Sequence, residues 1–552
     1  MSLETGTSRH STADRVPTML LVIGIIVMVA VLYLPGLGHL KLINEEPRRA
    51  LVARNMLETG DYVVPRLLGQ IYIAKPPLFN WLIVAASYPG GSVTEFTARL
   101  PSVMSLALLA VTMVIGMRRY FSAAGLAMLG GALVLAPELM LKGFQAEIEL
   151  LFTFLVTLSL WSWFWAFNRN AAGARLWMFP CTVVGFSFLA KGPPALLFFY
   201  LGTIPYLIYK KRLRHLIDPW HGVGVAVIIL MVSIWLAGLV WSAGLTPVWE
   251  AAQWMVARGS FKDPQRILIH LVTYPTKLLA AILPFSLLFF LLPMARVRHL
   301  VRGRFKEVYV FAGLALTANL LVYLTRSAQV RYFLPMLPTA LVLCVVVFEA
   351  IQYRPDDIPH PVLKILNFLT KSTAALAVAG TAVYFLAISR PLWQPSAAQL
   401  FSWPVNLAVG VLLAIGSGYL MKTAYRKGYR VLPAAFIGVL ILFRILYVSQ
   451  VIPHKAQRFL TTRNEEAVLA LIARQLPDTE ATVRVVGRIP FNLYFYDRAG
   501  MLIPPQVPYP GKECYFFRHH RHKLPPPDLG REIELFQTLY DKGELILSTP
   551  GP

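Results

Sequence analysis

Apolar residues in this chain fall in long blocks and not in short alternations. The first block runs from Val16 to Leu37, behind a short polar segment with Arg9 and Arg15. It is long for the core of a signal peptide and lacks an A-x-A cleavage pattern, so it reads as a retained signal anchor. Further blocks lie near 99–117, 122–141, 148–167, 176–190, 193–209, 220–243, 276–295, 308–325, 332–352, 370–389, 403–421 and 431–452. A helix needs roughly 20 apolar residues to cross a bilayer. By that measure the pattern predicts about thirteen spans, and hence an all-α polytopic membrane protein. The run 76–88 is apolar but short and interrupted. It reads as an interfacial or partly inserted helix.

The basic residues test this arrangement. With a cytoplasmic N-terminus, one face receives Arg118/Arg119, Arg169/Arg175, Lys210 to Arg214, Arg296 to Lys306, Arg354/Lys364 and Lys422 to Arg430. Every strong Lys/Arg cluster then lies inside, as orientation by positive loops requires. Counting 76–88 as a full span would break that agreement. The opposite face receives 38–98, 142–147, 244–275, 326–331, 390–402 and 453–552. Residues 1–453 thus form the transmembrane part, with 38–98 as its first outer loop. Residues 454–552 form a small separate α/β domain. In it Glu465 to Gln475 reads as a helix, Thr482 to Val486 and Leu493 to Tyr496 as strands, and the proline-rich 503–510 and 524–527 as loops.

Composition narrows the class. The chain has 552 residues, 56% hydrophobic and 14% charged. Soluble domains carry about 25% charged residues, and disordered chains carry high charge with little apolar content. Both classes are excluded. The net charge of +24 resides mostly in loops between spans. It fits orientation and contact with anionic lipid, and no basic module interleaved with aromatic residues points to nucleic acid. Cys181, Cys344 and Cys514 form neither a disulfide framework nor a CxxC or zinc pattern. No internal repeat is visible, whereas many transporters carry two related halves.

Candidate chemistry concentrates at the outer face. The first loop carries Asn44-Glu45-Glu46-Pro47-Arg48-Arg49, then Arg54, and then Tyr72-Ile73-Ala74-Lys75-Pro76-Pro77. Residues 46–58 predict a helix with Pro47 in its first turn, apolar at Ala50, Leu51, Ala53 and Leu57. Glu45 and Glu46 lie where the positive helix end favours anions. An interfacial helix with ordinary capping charges explains the same pattern. A second acidic site, Glu147 and Glu149, opens a span. Two residues apart on a helix point to nearly opposite faces, so both serve one cavity only if the helix starts after Glu147. Lys191, His270, Arg331 and Tyr332 sit at the outer ends of spans, as interfacial anchors or as parts of a site. His270 has no second ligand at metal spacing.

These segments, taken together, resemble a family. N-E-E-P-R (44–48), R-N-M-L-E-T-G-D-Y-V-V-P-R-L (54–67) and Y-I-A-K-P-P-L-F-N-W (72–81) are similar to the first-loop signature of the bacterial protein-mannosyltransferase/aminoarabinose-transferase superfamily. T-A-R-L-P-S (97–102), A-E-I-E-L-L-F-T-F (146–154), F-L-A-K-G-P (188–193), H-x-x-x-Y-P (270–275), L-P-F (283–285) and R-Y-F-L-P-M-L-P (331–338) follow in the family's order. The resemblance covers about 45–340. It implies a GT-C fold with periplasmic interfacial helices, in the bacterial inner membrane. It also implies a polyprenyl-phosphate sugar donor, used at the periplasmic face. Glu45 and Glu149 stand where the family usually has Asp, and Ala74 where it often has Glu. That Glu is associated with a metal in lipid A aminoarabinose transferases, so the sequence supports no metal and calls for no cofactor.

The implied reaction needs cations for a departing lipid phosphate, and a carboxylate for the acceptor hydroxyl. Lys75, Arg48, Arg54 and Arg331 are the leading cations, with Tyr72, Lys191, His270 and Tyr332 beside them. Glu45 is the first base and Glu149 the second, with Glu46 and Glu147 as the remaining acidic candidates. An in-line single displacement predicts inversion. The acceptor is expected to be lipid A or another glycolipid, and the alternative within the class is a protein. A lipid-linked sugar flippase or other transporter is the reading from a different class.

Overall fold

In the computed structural model the described residues are 18–246, 249–250, 264–324, 329–389 and 402–453. Within the tail they are 455, 469–470, 473, 483–486, 491–497, 502–503, 515–519, 529–537 and 544–550.

The N-terminal half is a series of apolar helices: α1 (Thr18–Tyr33), α2 (Glu46–Thr59), α3 (Leu78–Ser87), α4 (Glu95–Met117), α5 (Ala123–Leu135), α6 (Pro137–Gly143), α7 (Glu149–Phe167), α8 (Ala174–Lys191), α9 (Pro194–Tyr209) and α10 (Pro219–Ala243). Local sequence marks their starts. Thr94 and Thr97 form a reciprocal capping box on α4, and Asp218 caps α10 ahead of Pro219. Each satisfies backbone N–H groups that the first turn leaves without partners. Ser122 caps α5, and Glu349 at the far end of another helix accepts from both its N–H (2.9 Å) and its hydroxyl.

Helix α7 lies between α4 and α8, with α8 against α10. Its C-terminal end enters an aromatic cluster of Trp161, Trp163, Phe164, Tyr206 and Phe311. Gly116 lets the Trp165 ring lie where a Cβ would sit, which allows α4 and α7 their close approach. The span Val330–Tyr353 is buried from Phe333 to Ile351 and forms the centre of the bundle. Helix α10 is the opposite case, with Ile229, Leu230, Ile234 and Trp241 exposed. Such an apolar surface belongs against lipid.

Among the described residues, six helices are long and apolar enough to cross a membrane, or seven if a bent pair counts as one span. Thr18–Tyr33 and Pro194–Tyr209 are shorter apolar helices. The run 76–88 contains only the ten-residue α3, in keeping with an interfacial helix.

Two expected spans take other forms. The block 122–141 breaks at Ala136-Pro137 into α5 and α6, bent by 54°. Pro137 has no N–H to continue the α5 ladder. The block 276–295 is not one helix. The helix Pro264–Ala281 begins inside the expected outer segment 244–275, 3-10 turns follow over Phe285–Leu291, and Ala295–Arg304 is a basic helix of its own. Pro284 and Pro293 bound the 3-10 segment, each removing one hydrogen-bond donor.

In the tail, β3 (Val483–Val486), β4 (Leu502–Ile503), β5 (Tyr515–His519), β6 (Leu529–Gln537) and β7 (Glu544–Pro550) form a sheet in the order β4-β3-β5-β7-β6. β3 pairs in parallel with β4 and β5, and β7 pairs antiparallel with β5 and β6. The expected strand at 482–486 is present as β3. The expected strand at Leu493–Tyr496 is instead part of the helix Phe491–Tyr496. Leu493, Tyr494 and Phe495 are all buried, so the apolar run has no exposed face to define a period of two. The expected helix 465–475 and the proline-rich loops lie almost wholly outside the described residues.

Candidate functional site

The site is organised by α2. Asn44 takes a left-handed turn (φ 57°), and Pro47 follows in the first helical turn. Gly60 closes the helix at φ 69°, its N–H donating to Met56 O, a conformation glycine adopts without Cβ strain. Glu46, Arg49, Ala50, Ala53 and Met56 make one buried face.

Glu46 is a hub of that face. Arg99 on α4 donates from Nε to its Oε1 (2.8 Å) and from Nη2 to its Oε2 (3.0 Å). The N–H groups of Ala146 and Ile43 donate to Oε1 and Oε2 at 2.8 and 2.9 Å. The remaining donors of Arg99 go to the carbonyls of Leu37, Leu40 and Lys41. Guanidinium and carboxylate are therefore saturated. Glu46, one of the expected acidic candidates, is committed to joining the first loop, α4 and the segment before α7. It leaves no oxygen for an acceptor.

Glu45 differs. Its side chain is 37% exposed, and its Oε2 accepts from Arg48 Nη1 at 2.7 Å. The Arg48 guanidinium lies 4.8 Å from the centre of the Phe491 ring in the tail helix. Arg54, expected at a donor phosphate, also turns to the tail. Its Nη2 donates to Phe495 O at 2.6 Å, and its guanidinium stacks 4.4 Å from the Phe495 ring. Tyr496 Oη donates to Glu95 Oε1 (2.9 Å) and accepts from Leu42 N (3.0 Å). The tail helix is thus clamped onto the first loop beside Glu45 and Arg48.

The rest of the loop is pinned piece by piece. Asp61 Oδ1 accepts from the N–H groups of Val63 and Val64, Trp81 Nε1 donates to Tyr62 O, and Trp235 on α10 donates to Val63 O. A hairpin of β1 (Arg66–Leu67) and β2 (Gln70–Ile71) follows, and Tyr72 N donates to Pro65 O at 2.7 Å. Half-buried Lys75 lies between this hairpin and α3.

The second centre lies where Glu46 docks onto Ala146. α7 begins at Glu149, so Glu147 is outside the helix and the opposite-face objection does not apply. Each carboxylate has its own lysine. Lys142 Nζ donates to Glu147 Oε2 (2.7 Å) and to Gln145 Oε1 (2.8 Å). Lys191 Nζ approaches Glu149 Oε1 at 3.4 Å, between the rings of Phe152 (5.1 Å) and Tyr332 (5.7 Å). Arg331 is in electrostatic reach of both carboxylates. Burial, and then the adjacent Glu149 charge, push the Glu147 carboxyl above the ordinary range despite Lys142.

Glu147, Glu149, Lys191, Arg331 and Tyr332 are thus brought together, and the start of α2, which carries Glu45 and Arg48, is tied to this centre through the Glu46–Ala146 hydrogen bond. His270 lies on the helix Pro264–Ala281, and its side chain is outside the described residues. Among the described residues no His, Cys, Asp and Glu cluster of metal-binding size occurs.

This architecture has known counterparts. The family described as dolichyl-phosphate-mannose-protein mannosyltransferase matches residues 74–237. An undecaprenyl phosphate-alpha-4-amino-4-deoxy-L-arabinose arabinosyl transferase from Pseudomonas paraeruginosa is 29% identical over 390 residues, 69% of this chain and 68% of that protein. One from Pectobacterium atrosepticum is 28% identical over 215 residues, 38% of each. ArnT from Cupriavidus metallidurans superimposes in its apo crystal structure with a TM-score of 0.65, at 17% identity over 96% of this chain and 97% of that one. The chain is similar in sequence to these transferases and shares the fold of ArnT. The structure of the same ArnT bound to undecaprenyl phosphate gives a TM-score of 0.63 at 18% identity, over the same shares of the two chains. Its several long apolar helices make the chain a multi-pass membrane protein.

Three contributors escape a reading of the sequence alone. Arg99 stands in an otherwise apolar span, and an intramembrane arginine signals a buried partner. Lys142 carries the same signal more weakly, at the end of α6. The tail aromatics Phe491, Phe495 and Tyr496 give no signal, because their partners are more than 400 residues away.

Proposed function

We propose that this protein is a membrane glycosyltransferase. It moves a sugar from an undecaprenyl-type polyprenyl phosphate to lipid A or a related glycolipid, with inversion at the anomeric carbon. The observation that carries the reading is the pair of carboxylate–cation couples, Glu45–Arg48 and Glu149–Lys191, at the outer ends of membrane helices, with Arg331 beside the second. The relatives named above as undecaprenyl phosphate aminoarabinose transferases support the substrate class.

In this mechanism the lipid phosphate leaves with its negative charge increased. Lys75, Arg331 and Lys191 stabilise it more in the transition state than in the ground state. Tyr332 lines the same group. Arg48 exchanges its Glu45 partner for phosphate as the donor arrives, offering planar, paired donors. Glu45, with Oε1 uncommitted among the described residues, accepts the proton of the attacking hydroxyl. Where the acceptor is a phosphate, Glu45 positions it instead. Glu149 holds Lys191 in place. The expected topology belongs to the same proposal. It comprises about thirteen spans, an active site on the periplasmic side, and residues 454–552 as a domain capping that side.

The test is donor turnover by purified protein in lipid nanodiscs, with polyprenyl-phosphate sugars and envelope acceptors followed by mass spectrometry. Release of polyprenyl phosphate with gain of one sugar mass on lipid A, lost in Glu45→Gln, is the expected result. Intact donor with every acceptor fraction would overturn the reading in favour of a flippase, and lipid A left unmodified beside a glycosylated protein would move the acceptor class.

A further inference from the structure

Arg49 has no role in the scheme above, and its surroundings give it one. It lies on the buried face of α2, one turn beyond Glu46, and is 5% exposed. Among the described residues its Nη1 is buried without a hydrogen-bond partner. The carboxylates nearest in sequence pair with other cations, Glu46 with Arg99 and Glu45 with Arg48. The contact recorded for the guanidinium is the face of Tyr72, 5.7 Å from the ring centre.

A buried guanidinium lacking an anion is costly, because burial removes its hydration and nothing replaces it. A bound anion would offset that cost by supplying the counter-charge. The position identifies the ligand. Residues three apart share a helix face, and Glu46 presses that face onto Ala146, beside Glu147 and Glu149. Tyr72 precedes Lys75 by three residues on the loop that follows β2. Asn80 Nδ2 on α3 donates to Arg49 O at 3.1 Å and fixes the helix against that loop. Arg49 therefore faces Tyr72, on the loop that leads to Lys75, one helical turn from the contact of Glu46 with Ala146.

We infer that Arg49, held over Tyr72, is a phosphate-binding residue for the lipid-linked donor, taking a phosphate oxygen opposite Lys75. This inference rests on the glycosyltransferase reading and adds a binding residue to that site. An Arg guanidinium donates to a phosphate through parallel N–H groups, which fixes the headgroup's orientation as well as its charge. Tyr72 keeps the guanidinium plane from rotating.

The experiment compares full-length wild type, Arg49→Met and Arg49→Lys in nanodiscs. The probes are undecaprenyl phosphate, the uncharged undecaprenol and inorganic phosphate, read by equilibrium binding and by thermal unfolding. Arg49→Met is expected to bind undecaprenyl phosphate about tenfold or more weakly. Its undecaprenol affinity should stay at the wild-type value, and its ligand-free midpoint should hold or rise, since an uncompensated charge has gone. Arg49→Lys should keep part of the preference for phosphate. Wild-type affinity for undecaprenyl phosphate in Arg49→Met would overturn the inference. So would a lowered ligand-free midpoint with equal losses for both lipids, which marks a purely structural arginine. Stabilisation of wild type by inorganic phosphate to the same degree as by the lipid would overturn the lipid source in favour of a soluble phosphate. If wild type itself failed to distinguish undecaprenyl phosphate from undecaprenol, the donor reading would fall first.

Discussion

Arg99 and Glu46, 53 residues apart, form a buried two-point ion pair in which every donor of one and every acceptor position of the other is used. Breaking one side of a buried pair strands the other charge and costs about 3–5 kcal/mol. Glu46→Gln and Arg99→Met are therefore expected to lower the thermal midpoint in nanodiscs sharply. The double replacement Glu46→Met with Arg99→Met should recover part of the loss, because neither charge is left stranded. A single variant with the wild-type midpoint would contradict the hub role.

The two acidic centres should separate in kinetics. Glu45→Gln removes the partly exposed carboxylate, and turnover should fall by about 10²–10⁴ with little change in donor binding. Glu147→Gln leaves Glu149 and Lys191 in place, so the same assay should lose less than about tenfold. The reverse order would move the acceptor base from the first loop to the second centre.

Glu147 also gives a pH signature. Burial and Glu149 raise its folded-state pKa above the unfolded value of about 4.3. The folded protein then holds this proton more tightly than the unfolded chain. The stability it confers is complete below the unfolded pKa and is lost as pH rises through the folded one. The midpoint of Glu147→Gln minus that of wild type should therefore increase from acid toward neutral pH. A difference that is flat or falls over that window would refute the assignment.

The tail clamp is testable by local opening. Tyr496→Phe removes the hydroxyl shared by Glu95 and the Leu42 N–H, leaving a backbone donor short of about 1–3 kcal/mol. Amide exchange at residues 491–497 and 42–46 should quicken together. Quickening in one segment alone would mean that the two are not coupled.

Much of this arrangement is legible in the sequence where the signal is local. The first-loop helix expected over 46–58 occupies Glu46–Thr59, because Pro47 and Gly60 mark its ends. The short helix at 78–87 follows from an apolar run of limited length. The strand read at 482–486 is present at Val483–Val486. Prediction fails where tertiary partners decide. Glu46 and Glu45 are adjacent acids with the same chemistry, and only Arg99 and Ala146 make one a structural hub. Arg54 resembles any other loop cation until Phe495 claims it. Leu493, Tyr494 and Phe495 are buried in succession, so no period tells helix from strand. Pro284 and Pro293 lie in plain view, but apolar length masks the breaks they introduce.

The clamp between α2 and the tail helix also sets an order of assembly. Residues 491–496 leave the ribosome after the described membrane helices, and their partners Leu42, Arg48, Arg54 and Glu95 long before them. The first loop therefore waits for its tail contacts until those helices have been made. A chain halted after its last span would carry the Glu46–Arg99 hub with Arg48 and Arg54 unclamped. A nascent copy that has not yet made residues 491–496 therefore does not hold the finished first loop.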